Sequence, residues 1–513
     1  MTGGLVEEQG AAGMAVTLPP RQKCERAVSG TGGEMDASLL NNAKFAEADF
    51  SAWRKLAQKA VGDGDFDATL VSHTDDGIRI DPLSARRAET AFTARHDIAR
   101  SWDVVQRIDD PDPTRANAQA RADIEGGATG LALVFEGAPN AFGYGLPASQ
   151  EAVTAVLDGI NVSDKLLRID VHPKSRQSID WLFRTLATRR VNTAKLRIGL
   201  GIDPAGLFGG TGRLHMSLEA LRASMPQSLA HFFALGLPGV LLEADGRVYH
   251  NAGATEAQEL AAMLATAVLH LRMFEEARQP LLYAAEHIGF AVAVDQDQFL
   301  GMAKLRALRR LWNRVQRECG IEPVPAIIHA ETSYRMMSFL DPETNILRTT
   351  IANFAAVAGG ADSVSILPYT IAHGLPDAFA RRVARNTQLV LAGEANIGYV
   401  ADPGGNSGSL EALTDALCER AWAEFQAIET EGGILDSLAA GKLQARIAEA
   451  AKSRNADYAS GNRLIVGTNL FPAKAERPVT VLDAEQRPVT TDGVVFCDKL
   501  NAARIDTFAE AGR

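Results

Sequence analysis

Short apolar runs alternate with long amphipathic segments through the middle of the chain, and this alternation constrains the fold most. The apolar runs occupy residues 131–135, 166–171, 196–202, 240–243, 290–294, 324–329 and 363–367. Helical stretches separate them, for example at residues 175–190, 254–277, 299–318, 345–357 and 377–392. Connections of this length require parallel strands, and strands buried on both faces read as continuous apolar runs. The repeated βα unit predicts an α/β fold, a (β/α)8 TIM barrel, with an open doubly wound sheet as the second choice.

The segments on either side of these runs divide the chain into four predicted regions. The regions are a flexible leader at 1–33, an N-terminal extension at 34–120, the barrel at 121–408, and C-terminal helices with a tail at 409–513. We expect a helix at residues 50–60 in the extension, and long helices at 409–431 and 434–451 after the barrel. Residues 463–471 read as a further strand-like run. The leader lacks the apolar core of a secretory signal.

Composition excludes several classes of protein. The 513 residues carry a formal net charge of −11, with 46% hydrophobic and 22% charged residues. These values exclude general disorder and disfavour nucleic-acid binding, which needs clustered basic residues. No run of 18 apolar residues predicts a membrane span. Cys24, Cys319, Cys418 and Cys497 are too widely spaced for a zinc or redox pair, so we expect free thiols and a cytoplasmic location.

Tyr249 and His250 are the candidate catalytic residues. They follow a strand-like run and a short loop, and residues beyond the carboxyl end of a barrel strand face the active-site mouth. A tyrosine can donate to a developing oxyanion, and a histidine can do the same or move a proton. The alternative is that the pair packs under a loop.

Other polar side chains are weaker candidates for a functional site. Glu331, Tyr334 and Arg335 also follow a strand-like run, and we expect Arg335 to form a structural ion pair rather than to bind an anion. Three basic residues lie on the helix predicted at 299–318, where the expected role is a solvated or subunit-facing surface. They are Arg306, Arg309 and Arg310.

Two short motifs approach known patterns without matching them. The glycines of residues 209–212 (GGTG) lack the rest of a dinucleotide fingerprint, so we interpret them as a flexible loop. Residues 170–175 (DVHPKS) nearly match DxHxxG, a cobalamin-ligand motif, but end in Ser175. We interpret the similarity as coincidence, with Asp170 ordering the following turn.

Five segments together resemble the methylmalonyl-CoA mutase family of adenosylcobalamin-dependent acyl-CoA mutases. They are residues 73–83 (HTDDGIRIDPL), 299–312 (FLGMAKLRALRRLW), 341–353 (DPETNILRTTIAN), 374–388 (GLPDAFARRVARNTQ) and 402–408 (DPGGNSG). The resemblance covers roughly residues 45–475. It implies a barrel through which catalytic chains thread an acyl-CoA, with cobalamin held over the mouth by a C-terminal flavodoxin-like domain. In such chains the closed barrel protects radical intermediates from water.

The sequence departs from the catalytic members of that family where the mouth is expected. Little chain follows residue 471, so we expect no cobalamin-binding flavodoxin-like domain. Residues 102–110 (WDVVQRIDD) stand where an Arg-Gln-Tyr segment is expected. Residues 249–254 (YHNAGA) lack the arginine of the family segment YHIREAG. Residues 365–368 (SILP) replace the family segment HTNS. Tyr249 and His250 match the family, but the groups around them do not.

This combination resembles the small, non-catalytic subunits of heterodimeric members of the family. The resemblance implies an isomerase heterodimer in which a large catalytic subunit binds adenosylcobalamin and converts succinyl-CoA to methylmalonyl-CoA. The chain alone would be inactive, with Tyr249 and His250 as remnants, no cofactor or metal ligands of its own, and neither nucleic acid nor membrane as a partner.

Two alternatives stay open at this stage. In one, the barrel binds acyl-CoA and is itself catalytic with a separately encoded cobalamin domain, and Tyr249 and His250 position the thioester carbonyl. In the other, the chain is a non-enzymatic scaffold in acyl-CoA metabolism.

Overall fold

The computed structural model describes residues 49–85, 92–234, 236–472, 477–487 and 491–510. The predicted leader lies outside the described residues, as does Cys24. The chain forms two compact units, Met1–Phe66 and Asp67–Arg513. The first contains helix Phe50–Val61, which confirms the helix predicted at 50–60. It begins at Asp49, whose carboxylate accepts from the amide of Ser51 at 2.8 Å and so satisfies a free helical N–H.

The second unit is built on a closed barrel of eight parallel strands, which confirms the predicted TIM barrel. The strands are β1 Asp103–Ile108, β2 Gly130–Leu133, β3 Leu166–Ile169, β4 Arg197–Ile202, β5 Val240–Asp245, β6 Ile288–Val294, β7 Ile327–Thr332 and β8 Ser363–Ser365. Neighbours in sequence are neighbours in the sheet, and β8 closes the barrel by pairing with β1 through Ser363 and Asp103. Every strand is buried along nearly all its length, because helices cover the outside.

Eight helices form the outer ring. They are α1 Pro113–Glu125, α2 Gln150–Val156, α3 Ser175–Thr188, α4 Leu218–Ala234, α5 Glu256–Glu276, α6 Gln298–Glu318, α7 Thr344–Ala358 and α8 Ala378–Gly393. Polar side chains fix several starting points. Thr255 and Gln258 form a reciprocal capping box at the start of α5, and Asp297 and Asp377 cap α6 and α8. Short helices Pro204–Thr211 and Arg247–Asn251 follow β4 and β5 at the carboxyl end of the barrel.

The first strand lies upstream of the segment expected to form the barrel. Strand β1 and the first half of helix α1 fall within residues 34–120, which the sequence analysis assigned to the N-terminal extension. The strand carries Asp103, Gln106 and Arg107 among its six residues, so it does not read as an apolar run. All six are nevertheless buried, because their polar groups are satisfied inside the protein.

Four further helices follow the barrel in the described part of the chain: α9 Gly408–Thr430, α10 Ile434–Ala439, α11 Lys442–Ala459 and the short α12 Asp506–Glu510. Helix α9 agrees with the prediction at 409–431. The single helix predicted at 434–451 is wrong, because Gly441 adopts φ +70° and separates α10 from α11. The strand predicted at 463–471 is also wrong. There Gly467 has φ +82°, and the side chain of Asn469 accepts from the amide of Ile465 at 2.6 Å, forming a turn.

Arg306 and Arg310 of α6 connect the barrel to α9, and Arg309 pairs with Asp362 next to β8, so the solvated or subunit-facing surface predicted for these arginines is wrong. Arg306 is buried and pairs with Asp402 and Glu411. Arg309 is also buried and donates to Asp362 at 2.9 Å. Arg310 is partly buried and completes the connection to α9 through Glu411.

The GGTG motif is also more ordered than predicted. Gly209 and Gly210 lie inside the buried helix Pro204–Thr211, where an added Cβ on Gly210 would come within 2.6 Å of Pro139. These glycines permit close packing, so their interpretation as a flexible loop is wrong.

Candidate functional site in the barrel interior

Four charged side chains from the odd-numbered strands meet on the barrel axis. Arg107 of β1 donates to Glu331 of β7 at 2.8 Å. Arg168 of β3 donates to both oxygens of Glu243 of β5, at 3.0 and 2.8 Å. Alternate strands of a barrel contribute the same interior layer, so these four residues fill one layer with ion pairs instead of apolar side chains.

A second tier of charges lies over this layer toward the carboxyl end. Arg247 donates to Asp245 at 2.8 Å and to Asp170 at 3.1 Å, and it approaches Glu331 at 3.4 Å. Asp109 accepts from Arg107 at 3.2 Å. We call the complete set the ion-pair cluster: Arg107, Asp109, Arg168, Asp170, Glu243, Asp245, Arg247 and Glu331. Each of its side chains is at most 5% exposed.

Burial and mutual attraction shift the pKa values in the cluster in opposite directions. Burial raises the pKa of Glu243, although Arg168 and Arg247 oppose that effect. Burial alone would also raise the pKa of Asp170, but Arg247, Arg168 and Arg107 hold it below its ordinary value. Asp170 therefore serves the cluster, and its predicted role in ordering the following turn is wrong: Ser175 orders that turn by donating to the carbonyl of His172 at 2.6 Å.

Aromatic side chains and the C-terminal tail cover the cluster. Phe142 and Tyr334 stack with ring centroids 4.2 Å apart, and the Arg107 guanidinium lies 5.4 Å from the Phe142 ring. Residues 494–505, which we call the strap, cross the loops at the carboxyl end. Its amides donate at 2.7–2.9 Å to the carbonyls of Leu214, Gly212, Gly209, Asn251 and Arg335. The strap also pairs as a short strand, Val495–Phe496, with Arg213–Leu214.

His250 lies in a buried hydrogen-bonded chain. Its Nδ1 is 3.1 Å from Glu259 and its Nε2 is 2.9 Å from the hydroxyl of Ser333. Lys304 donates to the same Glu259 carboxylate at 2.7 Å. Burial and the nearby Arg335, Lys304 and Arg454 hold the pKa of His250 well below its usual range, so the ring is neutral. Burial raises the pKa of Glu259 to about 7.

This Ser-His-Glu arrangement has the connectivity of a hydrolytic triad but no access for a substrate. Ser333, His250 and Glu259 are each 0% exposed. Tyr249 is equally buried but faces different neighbours, since its hydroxyl lies near Asp203 and Thr266. The two candidate catalytic residues are adjacent in sequence, yet the helix Arg247–Asn251 directs them into separate surroundings.

The other candidates have structural partners. Arg335 pairs with Asp295 at 3.1 Å and Glu256 at 3.4 Å, which confirms the expected ion pair. Glu331 belongs to the cluster, and Tyr334 to the aromatic stack above it. The sequence analysis missed Arg107, Arg168, Glu243 and Arg247. A usable signal was present, because Arg168 and Glu243 interrupt otherwise apolar strand runs.

The residues present do not fit a cobalamin. His172, the histidine of the DVHPKS motif, is fully buried, stacks on Phe135 at 4.6 Å and lies 2.9 Å from the Ser178 hydroxyl through Nε2. The barrel mouth, where a corrin would lie, is occupied by the aromatic stack and the strap. Within the part of the chain that the structure describes, no three His, Cys, Asp or Glu side chains are grouped to hold a metal.

One cavity of about 330 Å³ remains on the barrel axis, at the amino ends of the strands. Its wall includes Leu166, Ile198, Val240 and Phe290 from four strands. Arg168, Glu243 and His329 also line it, and their positions within their strands are further from the amino end. The ion-pair cluster therefore separates this cavity from the carboxyl end.

Comparisons with known proteins agree with the resemblance found in the sequence. The profile of the family described as methylmalonyl-CoA mutase matches residues 94–511. The methylmalonyl-CoA mutase small subunit of Streptomyces virginiae is 35% identical, over 89% of this chain and 75% of that protein. The probable small subunit of Mycobacterium tuberculosis is 46% identical over 64% of this chain and 53% of its own length. That of Propionibacterium freudenreichii subsp. shermanii is 34% identical over 71% of this chain and 58% of its own. The chain belongs to the methylmalonyl-CoA mutase family.

Proposed function

We propose that this chain is the small, non-catalytic subunit of an adenosylcobalamin-dependent methylmalonyl-CoA mutase. A large catalytic subunit binds the acyl-CoA and the cofactor and interconverts succinyl-CoA and methylmalonyl-CoA. The present chain pairs with it as a heterodimer. The names of the relatives support this role, and so does the degree to which the barrel interior is filled.

The ion-pair cluster is the observation that carries the proposal. A substrate threaded along the barrel axis would have to displace side chains that are paired with one another and shielded from water. Removing one partner of a buried ion pair costs about 3–5 kcal/mol, and a threaded substrate would separate several. The interior is therefore stable as it is and unsuited to admit an acyl-CoA.

Cofactor binding belongs to the partner under this proposal. Adenosylcobalamin supplies radical chemistry when bound, and in this chain the histidine of the DVHPKS motif, His172, is fully buried while the Phe142–Tyr334 stack lies over the barrel axis. Tyr249 and His250 then hold the fold together and do no chemistry. None of the described helices is long and apolar enough to cross a bilayer. We place the heterodimer in the cytoplasm.

Co-expression with the large mutase subunit of the same organism tests the proposal. We expect the two chains to elute together from size exclusion and to turn over succinyl-CoA with adenosylcobalamin, while this chain alone is inactive. Separate elution, combined with full activity of the large chain by itself, would contradict the proposed role. Turnover by this chain with coenzyme alone would contradict it as well.

A variant of His250 distinguishes a non-catalytic subunit from a chain whose own barrel is catalytic. His250→Ala should leave the kcat of correctly assembled heterodimer unchanged, because the imidazole contacts only protein groups. The comparison is made per assembled complex, and His250→Asn provides a second, less disruptive variant. Loss of turnover in both variants, with assembly intact, would favour a catalytic barrel.

A further inference from the structure

Helices α7 and α8 are neighbours in the outer ring, and both expose apolar side chains on their outer sides. We propose that this surface, which we call the α7–α8 face, is where the large catalytic subunit binds. The inference rests on the proposed function, because that function supplies the partner, and it adds the surface that the partner covers. The face is formed by exposed apolar side chains of the two helices and of the residues just after α8: Leu347, Ile351, Phe379, Val390, Tyr399 and Val400.

The exposed stripe of α7 differs in composition from that of an ordinary ring helix. On α3 the exposed positions spaced by four residues are Arg176, Asp180 and Arg184, as expected for a helix that faces water. On α7 the exposed positions with the same spacing are Leu347 and Ile351, which are 64% and 40% exposed. The outer side of α7 therefore has the composition of a buried surface.

The polar groups of α7 are satisfied within the protein. The single charged residue of the helix, Arg348, is buried and donates to the carbonyl of Val466 at 2.6 Å and to the side-chain oxygen of Asn345 at 2.7 Å. The hydroxyl of Thr350 donates to the carbonyl of Ile346 at 2.7 Å. Covering this helix would thus cost few hydrogen bonds to water, and a helix that is apolar on all sides is normally buried.

Another ring helix shows how the chain covers such a surface. Helix α5 carries no charged side chain between Glu259 and Arg272, and it is buried along most of its length because α9 packs across it and α6. The outer side of α9 is polar, with Glu419 and Arg420 exposed. No element of the described part of the chain covers α7 in this way, since Leu347 stays exposed.

The face approaches the size of a subunit interface. At 1.5 Å per residue and about 10 Å of width per helix, the 15 residues of α7 and the 16 of α8 present about 24 by 20 Å, roughly 480 Å². The turn after α11 extends this surface beside the start of α7, where Ser338 and Thr468 are hydrogen-bonded at 2.9 Å, and it exposes Leu464, Val466 and Phe471. A stable interface buries about 800 Å² per partner, and a monomer rarely leaves an apolar patch of more than a few hundred Å² uncovered.

Charge favours a different subunit over a second copy of this chain. Arg382 is the one exposed charged side chain on α7 and α8, both of which the structure describes throughout. A nearly neutral, apolar surface is typical of a permanent interface. Two copies would each bring a net charge of −11 and repel, and a face with one arginine does not compensate that repulsion. The large subunit is the permanent partner that the proposed heterodimer provides.

Charged substitutions on the face test the proposal in the full chain. Leu347→Glu and Phe379→Glu alter positions that are 64% and 61% exposed, so the free chain should fold as before, which thermal unfolding followed by circular dichroism checks. We expect each variant to weaken binding of the separately purified large subunit by at least about tenfold, and the double variant by at least about a hundredfold, because a carboxylate buried in an apolar interface is costly. The matched control is Leu282→Glu, between α5 and β6 at a 47% exposed position, which should not change the affinity.

The outcomes distinguish this inference from the proposed function. Co-elution of the unchanged chain with the large subunit, combined with unaltered affinity in the double variant, would overturn the assignment of the face and leave the proposed function intact. No binding by the unchanged chain would overturn both. Self-association of the chain alone that Leu347→Glu abolishes would assign the face to a second copy and overturn the proposal.

Cysteine labelling shows whether the face is free before the partner binds. In the full chain, Leu347→Cys should react with N-ethylmaleimide at a rate similar to that of Leu282→Cys, and it should react much more slowly in the heterodimer. Peptide mass spectrometry separates these sites from the native cysteines. Slow reaction of Leu347→Cys in the free chain would mean that another part of the chain, such as residues 1–48, already covers α7, and it would overturn the proposal.

Discussion

The two ends of the barrel differ in what fills the axis between the strands. At the carboxyl end, Arg247 and its neighbours pair with one another beneath the aromatic stack and the strap. At the amino end, a cavity of about 330 Å³ lies on the axis between apolar side chains of the strands, among them Leu166, Ile198, Val240 and Phe290. Barrel enzymes carry their active sites at the carboxyl end. In this chain ion pairs fill the axis at the end where chemistry is expected, with cavities of about 260 and 410 Å³ only among the loops around it, and the axis is open at the other end.

The electrostatics of buried charges explain why the ion-pair cluster at the carboxyl end can persist. A buried ion pair often adds little stability relative to an apolar core, but breaking one partner is costly. The cluster can therefore persist in a barrel that has no catalytic role, because most single substitutions within it are strongly destabilising. The following predictions test how far the two ends differ.

The largest effect is expected from removing the central cation of the filled end. Arg247→Met leaves Asp170 and Asp245 buried without their main partner, and it should lower the free energy of unfolding by about 3–5 kcal/mol. Urea denaturation followed by circular dichroism measures the change. The matched control is Arg222→Met, whose pair with Asp436 is partly exposed and should contribute less than about 1 kcal/mol. Similar losses in the two variants would mean that the cluster is not a distinct stabilising unit.

The sequence predicted the barrel fold but not the ion pairs buried inside and around it, and the reason is physical. Seven strands read as apolar runs because both their faces are buried, whereas β1 carries Arg107 and reads as polar. Arg306 was assigned to the surface because its partners Asp402 and Glu411 are about a hundred residues distant, at separations of 96 and 105. Charge on a single segment does not reveal whether a distant segment neutralises it. Tyr249 and His250 were found as mouth residues, and only the packing around them shows that no substrate reaches them.

The change in the free energy of unfolding with pH should reflect the titration of Asp203, which lies at the carboxyl end of the barrel. Burial raises its pKa to about 7, although the amides of Asp245 and Gly206 that donate to it oppose the shift. The folded protein thus keeps a proton that the unfolded chain releases near pH 4. The free energy of unfolding should fall as pH rises from about 4 to 7, by at most about 4 kcal/mol from this group.

Asp203→Asn tests that assignment. Unfolding curves at pH 4.5 and 7.5 should differ less in this variant than in the original chain, because the titrating carboxyl is gone. Asp158→Asn, at an exposed position, should retain the original difference. An unchanged pH dependence in Asp203→Asn would assign the effect to other buried groups.

Weakening the attachment of the strap should lower the free energy of unfolding by a smaller amount. Asp506 follows the strap, is buried, and accepts from the amide of Phe339 at 2.6 Å and from Arg504 at 3.0 Å. Asp506→Ala should cost about 2 kcal/mol, since it removes the charge-assisted hydrogen bonds that the carboxylate accepts from the amide of Phe339 and from Arg504. Hydrogen exchange should quicken at the amides of Ala503 and Ile505 and not at those of β6. Uniformly faster exchange would show that the strap does not open separately from the barrel.

The smallest effect is expected at the open end, and a pair of buried histidines measures it. His329 uses only Nδ1, on Ser363, whereas His250 uses both nitrogens, on Glu259 and Ser333. In His329→Leu the lost hydrogen bond is partly offset by removal of the unpartnered Nε2, so we expect a loss of about 1 kcal/mol. His250→Leu leaves two polar groups unsatisfied and should cost about 3 kcal/mol or more. Because both side chains are almost completely buried, size and desolvation are matched, and the difference isolates hydrogen bonding. Equal losses in urea denaturation would mean that Nε2 of His329 is already satisfied in solution.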